Sequence, residues 1–185
     1  MKILSFGAST SSTSINRQLA NYAAGLAQQQ LGDAEVTKFD LRDLDLPIFS
    51  EDKEKELGSP ADAERFFKLI GEHDAIVLSL AEHNGSYSAA FKNLYDWLSR
   101  IEQKVWQGKT MLLLSTSPGA RGGATVMEAG KATFSRMGAQ LAANFSLPSF
   151  YDHFSDDGIS DPSLSSQLQE AVDTFVVALS QSNNN

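Results

Sequence analysis

Two patterns of apolar residues alternate along this chain. Apolar runs occupy residues 3–6, 36–39, 75–80 and 111–114, the last two the strongest, with a weaker fifth over 141–147. Runs that are continuous and not alternating predict strands covered on both faces by helices. Between them the apolar positions recur every three or four residues. Leu19, Ala23, Leu26 and Ala27 mark the inner face of a first helix that begins near Ser14. Ala63, Phe66, Phe67 and Ile70 mark a second, opened by Ser59-Pro60-Ala61-Asp62, a sequence that predicts a cap, a first-turn proline and an acid. Phe91, Leu94, Tyr95, Leu98 and Ile101 form a third stripe. A less apolar fourth starts at Val126 or Met127 and continues through Gly130, Phe134 and Met137. Asp161-Pro162 opens a last helix whose inner face is Leu164, Leu168, Ala171, Val172, Phe175 and Leu179.

Strict strand–helix alternation over five units predicts a five-stranded parallel sheet between two layers of helices, in the order 2-1-3-4-5. Residues 1–180 are read as a single domain and residues 181–185 as a disordered tail. The segments 41–58 and 149–162 are long for plain connections. The second carries Phe150, Tyr151, His153 and Phe154, and reads equally as a functional segment or as a surface loop with anchoring aromatics.

Composition narrows the class. The chain has 185 residues, no cysteine, and 15 Lys plus Arg against 23 Asp plus Glu, a formal net charge of −8. Lack of cysteine excludes thiolate catalysis and disulfide scaffolds, and fits a reducing compartment. Acidity without a basic cluster argues against nucleic acid. No run approaches the roughly 20 apolar residues of a membrane span, and the short N-terminal apolar run is too brief for a signal peptide. A soluble, cytoplasmic protein is expected. His73, His83 and His153 lack metal-ligand spacing, so no metal is expected. No G-x-S-x-G elbow is present for a hydrolase.

In an open parallel sheet, ligands bind beyond the carboxyl ends of the strands. The first predicted strand runs into Gly7-Ala8 and then six consecutive hydroxyl residues, Ser9-Thr10-Ser11-Ser12-Thr13-Ser14, followed by Ile15-Asn16. One or two hydroxyls are good caps and turn formers. Six at the mouth of a helix suit an anion, because the helix end supplies unpaired N–H groups and partial positive charge. The glycines of a dinucleotide or Walker loop are missing, so a mononucleotide phosphate fits better. The third strand leads into Ala81-Glu82-His83-Asn84-Gly85-Ser86. There Asn84 reads either as the partner of a heterocycle edge or as a cap, and Glu82 and His83 as ring contacts or a solvated turn. The fourth leads into Ser115-Thr116-Ser117-Pro118-Gly119-Ala120-Arg121-Gly122-Gly123, a backbone-rich loop suited to a flat ligand. All three loops converge on one sheet edge.

These residues resemble the NADPH-dependent FMN reductase family, flavodoxin-like proteins that include quinone, azo-dye and chromate reductases. The family's G-S-x-R-x-x-S-x-N corresponds to Ala8 through Asn16, its P-E-Y-N-x-S to Ala81 through Ser86, and its K-N-x-x-D-W to Lys92-Asn93-Leu94-Tyr95-Asp96-Trp97. Asp43-Leu44-Asp45-Leu46-Pro47 also resembles it. The resemblance implies FMN phosphate binding by Ser9, Ser11, Ser14, Ile15 and Asn16. It places the flavin ring against Glu82, His83, Asn84 and Gly85, and against Ser115, Ser117 and Gly119. Ser11 stands where the family has Arg, Ala8 where it has Gly, and Ala81-Glu82-His83 where it has Pro-Glu-Tyr. The missing Arg costs a charge-assisted phosphate contact, about 1–3 kcal/mol. Arg121 is a candidate for balancing charge on reduced flavin or meeting a nicotinamide phosphate. The implied activity passes electrons from NADPH or NADH through FMN to a small-molecule acceptor such as a quinone or azo compound, in a homodimer or homotetramer. A flavodoxin-like carrier, reduced by a protein partner, is the alternative, and the chain's acidity suits it.

Overall fold

The computed structural model describes residues 1–182. Its centre is a parallel sheet of β1 (Lys2–Gly7), β2 (Glu35–Phe39), β3 (Ala75–His83), β5 (Thr110–Thr116) and β6 (Gln140–Leu147), in the order β2-β1-β3-β5-β6. This is the order expected from the sequence. The numbering shifts because β4 (Ser86–Tyr87) folds back antiparallel on the end of β3, pairing Glu82 with Tyr87 and His83 with Ser86. Both faces of the central strands are sealed, which is why they read as largely apolar runs with no strict alternation. Leu4, Phe6, Ile76, Leu78, Leu80, Met111 and Leu113 point into one core, and Ile3, Ala75, Val77, Leu112 and Leu114 into the other.

The two cores differ in texture. Under α1 (Ile15–Leu31) and α7 (Pro162–Ser182), Ala20, Ala23, Ala24 and Ala27 let the helix backbone lie close to the sheet. Under α3 (Ala61–Gly71), α4 (Ala89–Ile101) and α5 (Ala124–Phe134), the filling is aromatic: Phe6, Phe66, Phe91, Tyr95, Trp106 and Phe134. Rings there meet edge to face, as in Phe6 against Phe66 with centroids 5.2 Å apart. Among the described residues no helix is long and apolar enough to cross a membrane.

Several expectations need correcting. Segment 41–58, long for a plain connection, holds a 3-10 turn (Leu41–Asp43) and α2 (Glu51–Leu57) that the sequence reading did not resolve. No residue of α2 is buried, so it has no apolar stripe to read, and only the Ser50 cap on the Lys53 N–H announces it. Segment 149–162 likewise contains α6 (Phe150–His153) and a small hairpin, β7 (Phe154–Ser155) with β8 (Gly158–Ile159). Ser59 does not cap α3. Pro60 occupies the cap position without a side-chain bond, and Asp62 instead accepts the Asp45 N–H at 2.7 Å, strapping the 41–58 segment to α3. Helix α5 ends at Phe134, leaving Met137 in the turn beyond. Helix α7 runs through Ser182, so Gln181 and Ser182 are helical and not tail; residues 183–185 lie outside the described residues. Asp161 accepts the Leu164 N–H at 2.9 Å, the cap its position predicts.

Candidate functional site

Gly7, the last residue of β1, sets the geometry of the cleft. A Cβ there would lie 2.3 Å from the Arg17 backbone nitrogen, so only glycine lets the start of α1 sit this close to the sheet. The chain then rises through the hydroxyl run and enters α1 with Ser14 as cap, its side chain accepting the Arg17 N–H at 3.1 Å. Ser9 accepts the Ser11 N–H at 3.2 Å, and Ser11 accepts the Thr13 N–H at 3.3 Å, so the hydroxyls shape the loop themselves. Among the described residues, the N–H groups of Ile15 and Asn16 in the first turn of α1 have no partner. Unpaired donors at a helix start, ringed by hydroxyls, are what an anion requires.

A cleft of about 180 Å³ opens over this loop. It is lined by Ser9, Ser11, Thr13, Ser14, Ile15 and Asn16 from the first loop, Ala81, Glu82 and His83 from the end of β3, Thr116, Ser117 and Pro118 after β5, and Tyr151 of α6. Eight of the residues anticipated from the sequence meet here: Ser9, Ser11, Ser14, Ile15, Asn16, Glu82, His83 and Ser117. A larger hollow, about 590 Å³, runs along the outer edge of β6 between α5 and α7, lined by Met127, Glu128, Asn144 and Glu170 among others. It has more room but presents two carboxylates, and the α5 start at its edge already has its Val126 N–H taken by Glu82. Chemistry favours the smaller cleft.

Several anticipated residues have other partners. The Asn16 side chain is buried and fully engaged: it accepts from Ser79 Oγ at 2.7 Å and from the Thr116 N–H at 3.1 Å, and donates to the Thr116 carbonyl at 3.1 Å. It pins α1 to β3 and β5, leaving only its backbone N–H for a ligand. Glu82 accepts the Val126 N–H at 3.0 Å and so caps α5 from the end of β3. Ser115 is wholly buried and donates to the Gly122 carbonyl at 2.7 Å. Asn84 and Gly85, with φ of 52° and 74°, are the two central residues of the tight turn between β3 and β4. An Asn-Gly pair with positive φ at both positions is the favoured two-residue hairpin connection, and neither residue lines the cleft. Gly119 and Arg121 stand exposed outside its lining, with Arg121 Nη2 donating to Thr125 Oγ1 at 2.8 Å.

Tyr151 joins the site although the sequence marks only the aromatic stretch around it. It is 72% exposed yet held in place, because the Ser149 and Phe150 N–H groups bond to the carbonyls of Gly119 and Ser117 at 3.0 and 3.1 Å. Those bonds mount α6 on the loop after β5, which no local pattern reveals. Behind the hydroxyl loop, Arg17 pairs with Asp40 and donates to the Ser12 carbonyl at 2.6 Å. Arg42 shares the same carboxylate, Nη2 to Oδ2 2.7 Å. That Arg42 hydrogen bond, more than any other influence, holds the Asp40 carboxyl below the usual carboxylate range, against the opposing effect of burial. A positive charge thus braces the loop from behind although position 11 lacks one.

Residues 1–152 match the model of the NADPH-dependent FMN reductases. The chain belongs to that family. Over 80 residues it is 36% identical to a quinone reductase of Escherichia coli, a segment that covers 43% of each chain. Over 123 residues it is 31% identical to an NAD(P)H-dependent FMN reductase of Pseudomonas aeruginosa, covering 66% of this chain and 63% of the relative. The matched segments thus span less than two thirds of these relatives' lengths. The structure superimposes on the flavoenzyme NAD(P)H:(acceptor) oxidoreductase FerB of Paracoccus denitrificans with a TM-score of 0.70 over 97% of both chains, at 24% identity. The flavodoxin-like fold read from the sequence is the fold observed.

The FMN reductase signature divides in this structure into two kinds of residue. Its Lys92-to-Trp97 segment lies outside the lining of the cleft. Asn93 accepts the Phe49 N–H at 2.8 Å and donates to the Pro47 carbonyl at 3.0 Å, Trp97 Nε1 donates to the same carbonyl at 2.8 Å, and Lys92 pairs with Asp96. This motif therefore anchors segment 41–58 to α4.

Proposed function

We propose that the chain binds FMN in the cleft above the hydroxyl loop and acts as an NAD(P)H-dependent oxidoreductase. One observation carries the reading: the start of α1 holds two unpaired N–H groups beneath a ring of serine and threonine hydroxyls. The residues present fit a phosphate monoester. Ser9, Ser11, Thr13 and Ser14, with the Ile15 and Asn16 amides, would hold the phosphate. Glu82, the acid lining the cleft, already receives an N–H and so opposes the anion less.

Flavin bound here supplies two-electron chemistry, accepting a hydride from a reduced nicotinamide and passing electrons to an acceptor. The protein's part is to bind and orient. His83 and Tyr151 line the cleft and would supply rings for a flavin to lie against, with Thr116, Ser117 and Pro118 beside them. Asn84, Gly85, Ser115 and Arg121 belong to this proposal as rim and support: Arg121 is exposed and positioned to meet the negative charge of a nucleotide. The acceptor is proposed to be a quinone, azo compound or similar small molecule, consistent with the quinone reductase and FMN reductase names of the relatives. A single FMN-binding domain over residues 1–180, assembly as a homodimer or homotetramer, and a cytoplasmic location belong to the same proposal.

The test is a titration with FMN followed by anaerobic mixing with NADPH and with NADH. Quenching of FMN fluorescence and a raised melting temperature are expected, then bleaching of the bound flavin by the free nucleotide. An unmoved fluorescence and melting temperature would remove the cofactor assignment. Binding without bleaching by either nucleotide would make the protein a carrier reduced by a partner.

A further inference from the structure

Helix α2 stands apart from the rest of the chain. It has seven residues, none of them buried. Isolated helices shorter than about 12–15 residues are marginal in water, and packing normally supplies what they lack. Among the described residues, the one side-chain bond from α2 to the body runs from Arg100 Nε to Glu54, at 2.9 Å. Apolar side chains stand bare at both of its ends: Ile48 is 84% exposed and Leu57 53%. Ile48 is nonetheless fixed, because the Pro47 carbonyl accepts from Asn93 and Trp97 while the Phe49 N–H donates to Asn93. One exposed isoleucine is ordinary. An isoleucine displayed between two anchored residues, beside a helix that buries nothing, calls for a contact outside its own chain.

The charges on α2 specify that contact. A hollow of about 390 Å³ separates α2 from α4, lined by Phe49, Glu51, Lys55 and Arg100 among others. Most of the charges that line it are matched within the chain, Glu54 by Arg100 and Asp96 by Lys92. The Glu54 bond, with a weaker through-space pull from Glu51, raises the Arg100 pKa. The side chains of Glu51 and Lys55 form no hydrogen bond or ion pair among the described residues. They lie four residues apart, on one face of the helix, and are opposite in sign. Such a pair is self-complementary. About a two-fold axis beside Lys53, midway between them, a second α2 runs antiparallel and sets Glu51 of each copy against Lys55 of the other. The same rotation carries Ile48 of each copy to the Leu57 end of the other. A uniformly basic or uniformly acidic partner would satisfy one of the two charges and oppose the other.

We propose that two copies of the chain pair through α2, with Glu51 of each against Lys55 of the other and Ile48 buried at the contact. This surface serves the assembly proposed above and needs no flavin, so its failure would leave the cofactor reading untouched.

The test is sedimentation velocity of the full chain without FMN, from about 1 to about 500 µM. A contact this small belongs with the weak associations, and a self-association Kd on the order of 10–100 µM is expected. Glu51→Lys and Lys55→Glu each set like charges across the axis and should weaken association at least tenfold. Mixed in equal amounts, the two variants should associate as tightly as the unaltered chain, because each supplies the charge the other lacks. Each also carries a like-charge pair within its own helix, which mixing does not relieve, so recovery reports the contact between copies. Ile48→Asp should weaken association at least tenfold and leave the melting temperature unchanged, since the residue is already exposed. An unaltered chain that stays monomeric at about 500 µM would overturn this surface and the proposed assembly together. Association that the single variants do not weaken, or that mixing them does not restore, would overturn this surface alone and place the contact elsewhere on the chain.

Discussion

The loop over Ser9 to Asn16 and the helix Ala89–Ile101 both carry family signature residues, yet they dispose of their polar groups in opposite ways. In the loop, side chains bond locally to shape the turn while the first amides of α1 stay unpaired and face the cleft. In the helix, Asn93 and Trp97 are consumed by the backbone of residues 47–49. A signature position can therefore mark a ligand contact or a structural clamp, and only the inventory of partners separates them. Asn16 shows how close the two lie: its side chain clamps three elements while its own N–H belongs to the cleft.

Four substitutions would break or sharpen this contrast. Gly7→Ala forces a Cβ into the backbone of α1, and should cost about 3 kcal/mol or more in urea unfolding and abolish FMN binding together. Asn16→Ala leaves the Ser79 hydroxyl and both Thr116 backbone groups buried without partners. A loss of about 3 kcal/mol is expected by the same measurement. Trp97→Phe removes the bond to Pro47 and part of the edge-to-face contact with Phe49. It should cost about 2 kcal/mol while leaving the FMN dissociation constant within a factor of two, the signature of a clamp. Ser11→Arg places a guanidinium on the exposed loop and should do the reverse. Fluorescence titration is expected to show FMN binding about tenfold tighter, equal to about 1.4 kcal/mol, with the gain shrinking in high salt and stability little changed. A tighter Trp97→Phe or an indifferent Ser11→Arg would erase the distinction between the two regions.

Much of this architecture was legible in order of residues. The five parallel strands and the main helices between them follow from apolar period, because elements that bury a face must repeat at the spacing of that face. The hydroxyl loop was legible too, since its donors lie consecutively and act through a helix start that the same pattern locates. Helix α2 and the hairpins were not, because each buries too little to leave a period. The Asn84-Gly85 turn has a local signal, the Asn-Gly pair itself, but that signal competes with a reading of the same pair as ligand contacts.

Sequence by itself settled the layers of this protein, the edge of the sheet that carries its cleft, and the absence of a charged side chain at position 11. Tertiary structure alone decided that Asn16, Glu82, Asn93 and Trp97 bond to distant backbone, and that Tyr151 reaches the cleft from residues 150–153. The reason is physical. Burial patterns repeat along the chain and can be read there, whereas a hydrogen bond's partner is set by which segments meet in space.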